Sequence, residues 1–343
     1  APELEKFIEK NSVEGGWSQN SITITKSWLK QGLKPRCITR DLKWGVPVPL
    51  EGYEDKVFYV WYDAPIGYIS ITANYTDQWE KWWKNPENVK LVQFMGKDNV
   101  PFHTVMFPST LLGTGENWTL LNTLSTTEYL NYEKGLKFSK SRGTGVFGDS
   151  AAQTKIPSEV YRYQLLINRP ENSDTEFNWD DFQAKINNEL IANIGNLCNR
   201  ILKFIYEKMD KVHPHLNFSN KLESSEFKIE NLLERDHAVL NEVYEKLKEY
   251  NAHFEKVEIK AALKVAMEAS AICNKYMQDE KPWEKENIAS KRSDVVLGVL
   301  ANLIRFLSAI FEPFMPSFSA KINYILGRQQ RTRSEEHTSE LQS

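Results

Sequence analysis

Lys137-Phe138-Ser139-Lys140-Ser141 places two lysines and two serines on one short segment, and Gly143, Gly145 and Gly148 follow within seven residues. Residue frequencies put a K-x-S-K-S pattern into a chain this long only about a few times per thousand sequences. Transfer of a nucleotidyl group suits such a segment. As pyrophosphate leaves a nucleoside triphosphate, charge builds on the phosphates, and lysine ammonium groups stabilise it as fixed point charges without moving a proton. Ser139 and Ser141 add hydroxyl donors, and the glycines let the loop close and reopen. Taken alone, the same residues describe a solvated basic turn or a localisation patch.

Lys137 to Ser141 resembles the KMSKS signature of class I aminoacyl-tRNA synthetases, with Phe138 where methionine is commoner. The segments around it are similar to methionyl-tRNA synthetase, the eukaryotic cytosolic form in particular, from about Glu5 to about Gln330. The resemblance implies an ATP-dependent, AMP-forming ligase that uses Mg2+ to activate methionine as its adenylate and passes it to tRNA(Met) in the cytoplasm. Lys137, Ser139, Lys140 and Ser141 would be its catalytic loop. No general base is needed for activation, because the substrate carboxylate is itself the nucleophile on the α-phosphate and positioning does the rest.

Val60-Trp61-Tyr62-Asp63-Ala64-Pro65-Ile66-Gly67-Tyr68 is similar to the family's methionine pocket, which implies a wall of Trp61, Ala64, Pro65 and Tyr68. A thioether is recognised by shape and by sulfur–aromatic contacts worth about 0.3–1.5 kcal/mol each, so several rings must converge. Gly96 to His103 resembles a second stretch of that site, where Asp98 would accept from an ammonium or a ribose hydroxyl and His103 with Phe107 would close the pocket. Arg40 matches a basic position near the site; a surface salt-bridge arginine is the equal alternative. On the helical side Asn196, Arg200, Pro282 and Trp283 match the anticodon reader, where a tryptophan can stack an unpaired base and Asn or Arg can bond its edges. Without the resemblance, Trp61 and Tyr68 would read as core residues, Asn196 and Arg200 as a solvated face, and Pro282-Trp283 as a helix-end plug.

The elements that must position these residues show two textures. Up to about Gly148, short aromatic and β-branched runs are broken by Gly, Pro and Asn; Lys56 to Tyr62, Val89 to Met95 and Leu120 to Leu124 predict strands, and Pro101 to Leu112 a helix. That alternation predicts a parallel α/β sheet, with Asp63 and Asp98 at strand ends where ligands bind, and the resemblance implies that it is the C-terminal half of a Rossmann-type catalytic domain. Beyond Phe182 the periodicity is helical: Phe182, Ile186, Leu190, Ile194, Leu197 and Ile201 make one stripe, with Asn196 and Arg200, four apart, off it. Ile259 to Cys273 and Val296 to Leu307 repeat the habit, predicting a helical bundle, which the resemblance implies is the anticodon-binding domain. The fold class is thus α/β plus all-α. The resemblance implies a division into 1–35 as a remnant of an inserted domain, 36–130 as the second half of the catalytic domain, 131–181 as the lysine loop and linker, 182–330 as the anticodon-binding bundle, and 331–343 outside the fold.

The chain carries 43 Lys plus Arg against 46 Asp plus Glu, so any RNA contact must be a local surface. Three isolated cysteines suggest neither a disulfide framework nor a zinc knuckle, and no metal ligand set is expected. Leu297 to Phe311 is apolar but carries Arg305 and is short for a bilayer; it reads as a buried helix, and no membrane partner is expected. None of the six histidines lies in an H-x-G-H setting, and the chain opens on Ala1. The resemblance therefore implies that the HIGH-type motif precedes these residues and that this stretch alone is inactive. Arg333 to Ser343 reads as the translation of a sequencing-library adapter. Other synthetases are expected as partners through domains absent here. A synthetase for another apolar amino acid, and a non-catalytic tRNA-binding or scaffold protein, stay open as alternatives.

Overall fold

In a computed structural model the described residues are 2–208 and 232–326. The 331–343 stretch, and His213 and His215, lie outside them. The chain forms two compact units. One runs to Leu130 and includes Pro170–Thr175; the other comprises Asn131–Arg169 and the residues from Glu176 on.

In the first unit, helices α1 (Pro2–Glu14) and α2 (Gln19–Lys30) precede a two-residue antiparallel pair, β1 (Thr39–Arg40) with β2 (Val57–Phe58). Helix α3 (Gly67–Tyr75) follows, then β3 (Leu91–Gly96), α4 (Phe107–Gly113) and β4 (Leu121–Thr127). β3 and β4 pair in parallel, from Val92 opposite Thr123 to Gly96 opposite Thr127, with α4 in the crossover that parallel strands require. Leu4, Phe7 and Ile8 of α1, with Trp17 in the connection to α2, pack on Leu121 and Leu124. The Trp17 indole N–H donates to the Asn122 carbonyl at 2.8 Å, which fixes that packing in register.

The strand predicted over Lys56 to Tyr62 is corrected. Only Val57–Phe58 is paired as a strand, and Val60–Asp63 forms a helical turn. The reason is a missing partner. β1 offers two residues, so beyond Phe58 the amides of Tyr62 and Asp63 turn back to the Tyr59 carbonyl, at 2.7 and 3.4 Å. Asp63 accordingly ends a helical turn; Asp98 does follow the end of β3.

In the second unit a helical run begins at Trp179–Lys185, continues as a π-helical stretch Ile186–Gly195, and ends as α6 (Asn196–Lys208), after α5 (Ser158–Ile167). From Phe182 to Ile194 the apolar stripe advances by four three times. That step exceeds the 3.6 residues of an α-turn, and the wider turn keeps the stripe on one face. Helices α7 (Glu234–Glu255), α8 (Ile259–Glu280), α9 (Arg292–Phe311) and α10 (Pro316–Ile325) complete the bundle. α9 is long and apolar enough to cross a membrane, but it is mostly buried, with Val296, Leu300, Leu303 and Leu307 in the core beside Leu263, Ala266 and Cys273.

Candidate functional site

The first unit contains a cleft of about 330 Å³ between two segments, 60–68 and 99–103. Its walls are Val60, Trp61, Ala64, Pro65, Tyr68, Asn99, Phe102 and His103. The helical turn at Val60–Asp63 and the Pro65-containing turn after it place Trp61, Ala64, Pro65 and Tyr68 toward one opening. Trp61 meets Phe102 edge-on with centroids 4.8 Å apart and stacks on Tyr59 at 5.4 Å. A floor of rings held on both sides keeps its shape without a ligand.

Tyr68, His103 and Asn99 supply the polar groups of the lining. The Tyr68 hydroxyl lies 2.9 Å from His103 Nε2, and His103 Nδ1 lies 2.8 Å from the Asn99 carbonyl. A carbonyl only accepts, so Nδ1 carries the proton, and in the neutral ring Nε2 accepts from Tyr68. Burial lowers the His103 pKa below its ordinary value, outweighing the Asn99 hydrogen bond, so the ring is neutral near pH 7.

Three residues expected at the pocket stand outside its lining. Phe107 is buried behind the wall, 6.2 Å from the Tyr68 ring and 6.1 Å from Trp83. Arg40 sits with its guanidinium 3.8 Å over the Tyr59 ring, so it touches Trp61 only through Tyr59. Asp98 points elsewhere, its carboxylate accepting from the Tyr129 hydroxyl, while Lys97 beside it bridges Glu128 at 2.6 Å and Asp174 at 3.0 Å.

In the second unit, mutual backbone hydrogen bonds between Ser139 and Thr144, 2.8 and 3.0 Å, close the lysine loop. Lys137, Lys140 and Ser141 are exposed, and the hydroxyls of Ser139 and Ser141 are 3.3 Å apart. Phe138 turns inward against Tyr132 and Phe147. Gly145 has φ +130°, and a Cβ there would stand 2.3 Å from the Phe138 ring. Gly145→Ala is expected to displace Phe138 and cost about 1–3 kcal/mol of stability, which thermal unfolding checks.

A separate cluster forms in the bundle. Arg200 lies one turn after the exposed Asn196, its guanidinium 5.1 Å over the Trp283 indole and 3.5 Å from the Gln278 side-chain oxygen. Pro282 is buried, whereas Trp283 is 37% exposed. The plug at the end of α8 is therefore the proline, and the indole is left at the surface.

A family described as tRNA synthetases class I (M) matches residues 1–202, and one described as the anticodon binding domain of methionyl tRNA ligase matches residues 229–343. The chain belongs to the class I methionyl-tRNA synthetases. It is 57% identical to the probable cytoplasmic methionine–tRNA ligase of Dictyostelium discoideum over 94% of this chain and 42% of that one. For the cytoplasmic ligases of Arabidopsis thaliana and Saccharomyces cerevisiae the figures are 54% identity over 93% and 39%, and 51% over 94% and 42%. The chain thus spans about two fifths of the length of these curated relatives. In fold it is similar to the Mycobacterium tuberculosis methionyl-tRNA synthetase in complex with methionyl-adenylate, with a TM-score of 0.78 and 23% identity over 98% of this chain and 63% of that one.

In this methionyl-tRNA synthetase chain the sequence signals missed three lining residues, Val60, Asn99 and Phe102. All three lie inside the two segments that carry the resemblance. Alternation of small and aromatic residues there could have flagged Phe102 as the partner of Trp61, and Asn99, four before His103 in a helical register, as the acceptor for its Nδ1.

Proposed function

We propose that the protein containing this chain is a methionine–tRNA ligase of the cytosol, and that its 60–68 and 99–103 segments hold methionine. The observation that carries this is the cleft itself, with aromatic and small apolar walls and the hydrogen-bonded chain Tyr68–His103–Asn99, in a chain of this family. Trp61, Ala64, Pro65 and Tyr68 receive the thioether side chain, His103 and Tyr68 fix its end, and Phe107 supports Tyr68 from behind. Arg40 acts through Tyr59, and Asp98, outside the lining and accepting from Tyr129, would reach the substrate ammonium or ribose only with its second carboxylate oxygen.

The methionine carboxylate attacks the α-phosphorus of ATP, forming the acyl–phosphate bond as the bond to the bridging oxygen of pyrophosphate breaks. Lys137 and Lys140 offset the charge that moves onto the leaving pyrophosphate, and Ser139 and Ser141 donate hydrogen bonds to it. A terminal tRNA hydroxyl then takes the methionyl group and AMP leaves. Among the described residues no group of three or more His, Cys, Asp or Glu side chains could hold a metal. Mg2+ arriving with ATP would be held largely by phosphate oxygens and water and would offset phosphate charge. Asn196, Arg200 and Trp283, seated by Pro282, contact the anticodon of tRNA(Met). Contacts with other synthetases would fall to segments outside these residues.

Calorimetric titration of methionine into a full-length ligase carrying these residues tests the pocket. Tyr68→Phe is expected to weaken methionine binding about 3- to 15-fold, the worth of one hydrogen bond; unchanged affinity would show that the pair does not hold substrate. Affinity should also fall as pH drops through the lowered His103 pKa, since protonation turns Nε2 from an acceptor of the Tyr68 hydroxyl into a donor. Because the folded pKa lies below the unfolded value, the unit also loses stability as pH falls from 6.5 toward it. His103→Gln should flatten the affinity profile.

A further inference from the structure

The α8–α9 junction, which presents Trp283, is held by buried charge. Arg292 opens α9 and directs its guanidinium fork at two carboxylates, Asp236 near the start of α7 at 2.5 and 2.6 Å and Glu280 at the end of α8 at 2.5 and 3.0 Å. The side chains are 10%, 0% and 5% exposed. Arg235 reaches the other Glu280 oxygen at 2.9 Å, and the Tyr276 hydroxyl donates to Asp236. A cation at a helix N-terminus opposes the helix dipole, and apolar residues of similar volume would hold three helices together about as well. This arrangement is therefore poorly explained by stability alone.

Its geometry explains the turn instead. Lys281, directly after Glu280, is left-handed at φ +41°, a costly conformation for a residue with a side chain. Asn287 donates to the carbonyls of Glu280 and Lys281 at 3.0 and 3.1 Å, and Ser293, next to Arg292, donates to the Pro282 carbonyl at 2.8 Å. The three residues that precede Trp283 are thus each tied down, two of them directly to Arg292 and Ser293. We infer that Arg292, with Asp236 and Glu280, is a positioning residue for Trp283: the fork sets the turn so that the indole meets a tRNA base. This rests on the base-stacking role given to Trp283 above.

The test uses a full-length ligase and tRNA(Met). Arg292→Lys keeps the charge and loses the fork; Ser293→Ala, which removes one hydroxyl, serves if the first variant does not fold. Either should raise KM for tRNA about fivefold to tenfold, part of the effect of losing the stack itself, with methionine-dependent ATP–pyrophosphate exchange within about twofold of wild type. Combined with Trp283→Ala, neither should add a further loss. In protein labelled with 5-fluorotryptophan, the Trp283 resonance, assigned by its disappearance in Trp283→Phe, should shift or broaden. Additive effects, or a parallel fall of both reactions and the melting temperature, would make the network structural only. An unmoved fluorine signal beside a raised KM in Trp283→Ala overturns this inference alone. An unchanged KM in Trp283→Ala removes the stacking role, and the inference with it.

Discussion

Lys140→Ala in a full-length ligase carrying these residues should lower methionine-dependent ATP–pyrophosphate exchange about 100- to 1,000-fold, the usual effect of deleting one preorganised group that faces developing charge. The lysine is exposed on a loop whose closing hydrogen bonds, between Ser139 and Thr144, are backbone only. Its removal therefore leaves the loop folded. Methionine affinity should stay within about twofold, because the charge acts on the transition state rather than on the bound amino acid. Rapid-quench rates together with methionine titrations separate the two quantities. A variant that loses methionine affinity at an unchanged rate would assign Lys140 to binding and contradict the mechanism.

Trp283→Ala should weaken tRNA(Met) aminoacylation about 10- to 100-fold, as expected when a stack worth about 1–3 kcal/mol per base is lost. Exchange should be nearly untouched, since the adenylate forms without the anticodon. The ring is 37% exposed, with Arg200 over one face, so truncation opens no core cavity and the melting temperature should move little. Equal losses in both reactions, with a lowered melting temperature, would mean that the indole is packing the end of α8 after all.

Much of this arrangement is legible in the sequence where the periodicity is local. The strands predicted at Val89 to Met95 and Leu120 to Leu124 form and pair in parallel, the second running on to Thr127, and the four-residue steps from Phe182 to Ile194 announce a buried stripe. Lys56 to Tyr62 shows the limit. An aromatic, β-branched run fits a strand or a helical turn equally, and the length of its partner β1, known only after folding, decides between them. Arg40 is recognisable as basic but not as a cap on Tyr59, and Asp98 as a strand-end acid but not as the acceptor of Tyr129, 31 residues away. Which of Pro282 and Trp283 fills the helix end is likewise a matter of packing. The buried Arg292 fork joins residues 56 and 12 positions apart and has no local signature at all.

The most direct test of the central claim is the amino-acid dependence of ATP–pyrophosphate exchange by the purified full-length protein that contains these residues, measured across methionine, leucine, isoleucine, valine and tyrosine. The account predicts exchange with methionine at least 100-fold faster than with any other, since losing the sulfur–ring contacts and the fit to the cleft compound one another. Equal rates with leucine, or no exchange with any amino acid alongside intact tRNA binding, would contradict it.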